Sequence, residues 1–476
     1  MIDIELVRQC YKEFKENQEY YRKIDEYYYG NIDKLKHANK KKWQSDFHCV
    51  DNFFQTFVDQ ESQYSFGNHP TYKYNAEESE NVASLIKYEI NNNATYDNAL
   101  GQRLVELGIV YELNFIGKDG FKNKIITPLE GNMAFDEYDE PIFFIYVHTK
   151  RILDKTVQPN KYRLVDYIDV YDEQNVYYLD NTFNYRKDKP PVPHNFPCIP
   201  VGVGMIGGNK YTNLNGYIEG DKTIFRMIKT NQDAYSQIKT CGIQEIIDFR
   251  NSILKMYGVK LKPKKIPIRD KDGKIIKWEI EKDINGNDVF VDPVIENTKL
   301  LYFENKSKEG AEWLIKDIPS DFIEAELKRC RDDMHSLTNH IDSNEKLQSN
   351  ISGQALRTRL TMLEAKCKQN IDAMQDIIRT RIRCLFSYLE RTNKGKYDYK
   401  LVKTEFTPCI PIDETQLADI ISKIPQEVVS NYTKRSWLPK IDNPKLEQEI
   451  IDSEKKNELN LIGDPYEEQE QEQEQE

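Results

Sequence analysis

Residues 342–360, "DSNEKLQSNISGQALRTRL", separate two stretches that each read as long helix. On the N-terminal side, Ile323, Leu327, Cys330, Met334, Leu337 and Ile341 recur in alternating steps of four and three. That heptad seam is expected of a helix packed nearly parallel to another helix. Asp321 and Glu324, following Pro319, give it a capping-box-like start. On the C-terminal side, Leu356, Leu360, Leu363, Cys367, Ile371, Met374 and Ile378 mark the buried stripe of a helix running to Glu390. At 1.5 Å per residue it spans roughly 60 Å. Between the two lies the polar run "DSNEKLQSN", which is either a plain helix–helix connection or a loop set where something must pass. "ISGQALRTRL" starts the second helix, with Ser352 as its cap.

Working outward, residues 219–257 read as helical and end at Gly258. Residues 259–318 turn β-like: Ile276, Trp278 and Ile280 alternate, and Asp272-Gly273 and Asn285-Gly286 are hairpin signals. A β insert between two helices is a candidate protruding domain. At the N-terminus, Asp3 caps a helix to about residue 29 carried by Val7, Cys10, Phe14, Tyr21, Ile24 and Tyr28, with Asn17 and Gln18 as a gap. Residues 31–218 mix short helices with alternating strands. A strand-like "YKLVKTEFTP" follows the long helix, then shorter helices from Asp413 to about Leu461. The expected class is α+β, predominantly helical.

The 476 residues carry a net charge of −12, with 31% charged and 39% hydrophobic residues. Their mean hydropathy of −0.74 sets the chain apart from membrane proteins, and no apolar run is long enough to span a bilayer. The first residues lack the pattern of a signal peptide, so a cytoplasmic product is expected. From Ile412 to Glu476 there are 17 acidic and 7 basic residues, a net of −10; the last of them, 462–476, are expected to be disordered. A simple sequence-specific DNA-binding domain is usually basic, and this chain is not. The eight cysteines include no C-x-x-C and read as free thiols. His335 and His340, five apart, fall off a common helix face, so no metal site and no cofactor is expected.

Gly202, Gly204 and Gly207 in "VGVGMIGG" spell G-x-G-x-x-G, but the segment runs into "NKYTNLNGY" rather than a helix, and no βαβ pattern surrounds it. It is read as a flexible glycine-rich connection. Motifs of NTPases, serine hydrolases and zinc proteases are absent from the sequence. The basic run Lys260, Lys262, Lys264, Lys265 and Arg269 opens the β insert and suits either an acidic partner or the guarding of a strand edge. Arg357, Arg359, Lys366, Lys368, Arg379, Arg381 and Arg383 on the long helix read as a solvated face, or as groups that meet acidic residues of a neighbouring subunit. From residues alone, a DNA-processing enzyme with a carboxylate metal site and a coiled-coil scaffold stay open as alternatives.

Several strings, in order, resemble the portal proteins of tailed bacteriophages, closest to those of long-tailed phages and prophages of Gram-positive hosts. They include Asn52, Val58, Asp59, Tyr64, Phe66, Gly67 and Pro70; Gly108, Val110 and Tyr111; Pro200; and Ser352, Gly353, Ala355 and Leu356. "FTPCIPID" and "VVSNYTKRSWLPKIDNPKLEQEI" complete the set, so the resemblance covers about residues 20–455. Glu427, where the family often has glycine, and "GMIGGNKY" depart from the pattern.

The resemblance implies a non-enzymatic ring, usually of twelve copies, at one capsid vertex of the virion, assembled in the host bacterial cytoplasm. Double-stranded DNA would pass through it without sequence specificity. The implied partners are the terminase large subunit, the major capsid and scaffolding proteins and a head–tail adaptor, with no membrane. Segment by segment it implies an arm and wing over 1–218, wing and stem helices over 219–258, a clip over 259–318 and a stem helix over 319–341. A tunnel loop over 342–350 would hold Ser343, Asn344, Glu345, Lys346, Gln348 and Asn350 against DNA. The long wing helix and strand would cover 351–411, a helical crown 412–461 and the acidic tail 462–476. Lys260, Lys262, Lys264, Lys265 and Arg269 would bind the clip's partner, and the heptad seam would pack the stem.

Overall fold

The computed structural model describes residues 2–36, 47–75, 79–90, 94–154, 161–207, 213–214, 217–218, 222–249, 253–257, 263–269, 275–289, 300–303, 310–314, 320–340, 342, 353–408, 421–425, 427–436, 438 and 444–461. Six expected loop residues (Ser343, Asn344, Glu345, Lys346, Gln348 and Asn350) lie outside them, as do Lys260, Lys262, Ile341, Ser352, the Asp272-Gly273 turn and residues 462–476. The chain divides into two units, Met1–Cys409 and Ile410–Glu476.

Helix α1 (Ile4–Tyr28) starts where the Asp3 carboxylate accepts the amides of Glu5 at 2.9 Å and Leu6 at 3.4 Å, satisfying two of the orphan donors of a first turn. The gap in its apolar pattern is where it passes from one core to another. Val7, Cys10 and Phe14 pack with Phe143, Ile145, Ile168 and Val170, whereas Tyr20 to Tyr28 join the main core. Between them Gln18 donates to the Leu129 carbonyl at 2.9 Å. The helix stops at Gly30, whose φ of +81° suits a residue without a side chain. A short turn of helix α2 (Asp33–Lys36) follows, then α3 (Phe53–Phe66), capped by Asn52, then strand β1 (Thr71–Tyr74), α4 (Ser79–Ile90) and α5 (Ala94–Leu107).

Two antiparallel sheets come next. In one, β2 (Ile109–Gly117) lies between β3 (Gly120–Ile126) and β9 (Val201–Met205). The other orders β4 (Gly131–Phe135), β5 (Pro141–Asp154), β6 (Lys161–Tyr171), β7 (Asn175–Leu179) and β8 (Val192–Pro193) consecutively. Strands β10 (Asn213–Leu214) and β11 (Tyr217–Ile218) form a small ladder.

The glycines of "VGVGMIGG" are not a loose connection: Gly202 and Gly204 belong to β9, which lies directly on the long helix α8 (Gly353–Arg391). A Cβ on Gly202 would stand 2.9 Å from the Ile377 carbonyl oxygen, and one on Gly204 2.6 Å from Ile377 Cδ1. The motif's spacing of two places both glycines on the same face of a strand, where they admit a helix backbone. Gly202→Ala is therefore expected to cost about 1–3 kcal/mol by overpacking, read as a lowered urea midpoint; an unchanged midpoint would show that the sheet and helix part freely.

Helix α6 (Ile224–Phe249) is shorter than the expected 219–257. Residues 253–257 instead form β12 (Ile253–Tyr257), held between parallel β15 (Leu300–Phe303) and antiparallel β16 (Gly310–Leu314). The run "ILKMY" fits either period, and pairing on both edges decides it. A separate hairpin joins β13 (Lys265–Arg269) to β14 (Ile275–Ile280). The turn at Asn285-Gly286 is formed as expected: Gly286 has φ +82° and Asp283 accepts the amides of Asn285 and Asn287 at 2.9 and 2.8 Å.

Helix α7 (Ser320–Thr338) packs along α6. It begins one residue before Asp321, which therefore sits in the first turn, where a carboxylate complements the helix dipole, rather than at the cap. On α8 the buried stripe appears at Leu363, Cys367, Met374 and Ile378 and then widens to Cys384, Leu385 and Phe386. Strand β17 (Val402–Glu405) closes the unit by pairing with β1.

In the second unit, α9 (Asn431–Ser436) is capped by Ser430, whose hydroxyl accepts the Thr433 amide at 3.2 Å. Arg435 reaches Gln448 of α10 (Pro444–Leu461) at 2.5 Å. The expected helix start at Asp413 lies outside the described residues. Among those residues no helix is long and apolar enough to cross a membrane.

Candidate functional site

Residues before and after the polar run 342–350 pack on a single helix, α3. Helix α7 ends because Asn339 adopts a left-handed φ of 59°, which Asn tolerates better than most residues. The His340 amide then returns to the His335 carbonyl at 3.1 Å. This corrects the end of the seam. Met334 and Thr338 are its buried members and Leu337 is 54% exposed. The helix ends at Thr338, short of the last seam position, and the His335 ring is the part of α7 that meets Phe53 and Phe57 of α3. Ile323, Leu327 and Cys330 are half-buried.

His340 turns inward and stacks on Phe57 of α3, centroids 4.3 Å apart and planes 19° from parallel. Its Nε2 lies 3.2 Å from the Phe57 carbonyl oxygen; since that oxygen only accepts, Nε2 carries the proton. One turn along α3, Glu61 is 1% exposed. It forms an ion pair with Lys366 and accepts from Asn370 at 3.0 Å, both on α8. Another turn on, Tyr64 donates to Glu364 at 3.0 Å. Phe57, Glu61 and Tyr64 occupy one face of α3 by helical spacing, so one face meets both His340, just past the end of α7, and Glu364, Lys366 and Asn370 of α8. Outside this grip, Asp342 meets Arg331 at 3.2 Å, folding the departing chain back on α7.

Burial and the Lys366 ammonium push the His340 imidazole down to about 3, so it is neutral at ordinary pH. A cavity of about 320 Å³ opens beside the grip, lined by Glu61, Lys366 and Asn370 and by Leu337 and Met362.

The sequence did not single out this node, although a signal was present. Glu61 falls on the buried face of α3, with Phe54, Phe57, Val58, Ser62 and Ser65, and a carboxylate there requires a partner. Two cations read as solvated are corrected in the same way. Lys366 is the partner of Glu61, and Arg381 is fully buried between Glu112 and Asp97. Their long side chains follow the buried stripe because a carboxylate on the facing element compensates each.

In the β insert, Lys264 pairs with Glu281 at 2.6 Å, and Lys265 and Arg269 are exposed on β13. The hairpin is apolar on both faces and open: Ile266, Ile268, Ile275, Ile276, Trp278 and Ile280 are all exposed. Among the described residues no group of three or more His, Cys, Asp or Glu stands together as for a metal.

The family model described as phage portal protein, SPP1 Gp6-like, matches residues 7–460. The chain belongs to that family. No curated protein matches it in sequence. Among solved structures it is similar to a chain of the virion of a native gene transfer agent particle, at 10% identity and a TM-score of 0.36, over 80% of this chain and 88% of that one. As a phage portal protein it is a component of the virion and of a capsid-associated oligomeric assembly, in a family that is structural rather than enzymatic.

Proposed function

We propose that twelve copies close into a ring at one capsid vertex and that double-stranded DNA passes through its channel without sequence specificity. In this reading residues 1–218 form the wing, α6 and α7 the stem, and 351–411 the long helix and strand that return to the wing. Residues 412–461 form the crown and 462–476 an acidic tail. The clip begins at β12 rather than at residue 259. Ser343, Asn344, Glu345, Lys346, Gln348 and Asn350 form the tunnel loop. The terminase large subunit and a head–tail adaptor dock at the clip, where Lys260, Lys262, Lys264, Lys265 and Arg269 offer positive charge. The major capsid and scaffolding proteins meet the outer surface, and assembly takes place in the host cytoplasm.

The observation that carries the reading is the α3 grip. His340 after α7 and Glu364, Lys366 and Asn370 of α8 are both held on α3, which supports a segment between them whose substitution spares both helices. The half-buried seam at Ile323, Leu327 and Cys330 supports packing of the stem against a neighbour. The open hairpin supports a clip completed by adjacent copies, since a two-stranded hairpin is marginal alone. A net charge of −12 suits a wall along which phosphate must slide rather than bind.

Lys346→Gly or Gln348→Gly is expected to leave rings intact by negative-stain microscopy and native mass spectrometry while altering DNA packaging or retention. Equal loss of assembly would make the segment a structural joint, and a strictly monomeric protein at high concentration would sink the ring itself.

A further inference from the structure

The five-stranded sheet has one face covered by α1; part of the other is open. On the open part, cross-strand register sets Tyr146 opposite Asp169 and Asp169 opposite Tyr178, with His148 opposite Tyr167 in the next row. Four cations lie over these rings: Lys124 is 4.4 Å from the Tyr146 centroid, Arg186 4.5 Å and Lys150 5.3 Å from that of Tyr167, and Lys189 4.5 Å from that of Tyr178. Arg186 is held by Asp188, but neither Lys150 nor Lys189 meets a carboxylate among the described residues.

At the centre, three buried polar atoms have no hydrogen-bond partner: Asp169 Oδ1, His148 Nδ1 and Arg186 Nη1. The His148–Asp169 approach of 3.8 Å is too long to satisfy either. Asp169 is 7% exposed; burial holds its carboxyl up, at about 6, against the pull of Lys189, Arg186 and Lys150. Burial and the same cations hold His148 down, at about 4. Buried polar atoms in native proteins are ordinarily paired, and these three stand under an aromatic, cationic rim.

We propose that this face docks an acidic polypeptide segment. The rim calls for negative charge, and aromatic and arginine side chains are the usual anchors of protein interfaces. The centre separates the two classes of polyanion. Asp169 Oδ1 needs a donor while Arg186 Nη1 needs an acceptor. A peptide supplies both through its amides, with carboxylates left for Lys150 and Lys189. A phosphate backbone supplies acceptors alone and would be set against the Asp169 carboxyl. The proposal stands independently of ring closure.

The test uses the full chain and a fluorescently labelled decapeptide of alternating Glu and Gln, with a 20-base-pair DNA duplex and a Lys/Gln decapeptide as comparators, by anisotropy at low and at physiological salt. The acidic peptide is expected to bind with micromolar affinity that falls as salt rises, and the Lys/Gln peptide not to bind. The double substitution Lys150→Glu and Lys189→Glu, at two exposed positions, is expected to weaken acidic-peptide binding by about tenfold or more with the circular dichroism unchanged. Absence of binding at low salt overturns the proposal, as does binding indifferent to the double substitution. DNA binding that exceeds peptide binding and is lost in the double variant overturns it too, by making the face a nucleic-acid surface.

Discussion

Arg381→Met is expected to destabilise the first unit by about 3–5 kcal/mol, the range for removing one partner of a buried ion pair. The guanidinium is fully buried. It grips Glu112 through Nε at 2.9 Å and Nη2 at 2.7 Å, and Asp97 through Nη1 at 2.8 Å. Tyr96 adds a hydrogen bond to Glu112 at 3.0 Å. The arrangement ties α8 to β2 and α5 in one step. Methionine fills most of the volume, so the loss comes from two carboxylates left in a dry site rather than from a cavity.

The pH dependence identifies the cause. Burial already raises the Glu112 carboxyl, against the pull of Arg381, and in the variant that pull is gone. A carboxyl whose folded-state pKa lies above its unfolded value favours the folded state at low pH and loses that contribution as pH rises. The deficit relative to wild type should therefore be smaller at pH 5 than at pH 8 in urea titrations. A deficit equal at both would point to lost packing instead.

Acid is expected to loosen the packing of His340 on α3. Its folded-state value of about 3 lies below the ordinary 6.5 of an unfolded chain. The neutral ring thus contributes stability that is complete above about pH 6.5 and is lost as pH falls toward 3. At pH 5 the loss is about 2 kcal/mol. Lys366, Glu61 and His335 are the ionisable groups that face the ring. His340→Gln keeps a donor for the Phe57 carbonyl but cannot take up a proton, so its urea midpoint should fall less steeply than that of wild type between pH 7 and pH 5. Parallel curves would assign acid sensitivity to other groups. Hydrogen exchange at Asn339 and His340 should rise with the same pH dependence.

Elements with one dominant period were readable. The α1 pattern, the seam at Ile323, Leu327 and Cys330, and the stripe of α8 all follow from apolar residues recurring along one helix face. The readings failed where a second neighbour changes the rule. "ILKMY" becomes a strand because β15 and β16 take both its edges. The glycines of β9 resembled a phosphate loop because tight turns and close helix approach both need a missing side chain.

The buried charges were legible in part. Arg381 continues the stripe of Met374 and Ile378 at the next helical step, and Glu112 stands inside the apolar strand "IVYELNF". Each alone looks like an error in a pattern. Only the fold puts 269 positions of separation within a hydrogen bond. The node at Glu61 escaped for the same reason, since Lys366 reaches it from α8 and His340 from the turn after α7.

The pairing of β1 with β17, Thr71 opposite Glu405, has a consequence for the order of events during synthesis. At 5–20 residues per second, the partner of Thr71 is made roughly 15–70 s after it. For most of that interval α8 has not yet been made, so Glu61 lacks Lys366 as its counter-ion. The α6–α7 pair and the strands between them depend on nearer neighbours in the chain and can form first. The α6–α7 pair can thus form before β1 finds its partner, and β17 is the last strand of the first unit to be made.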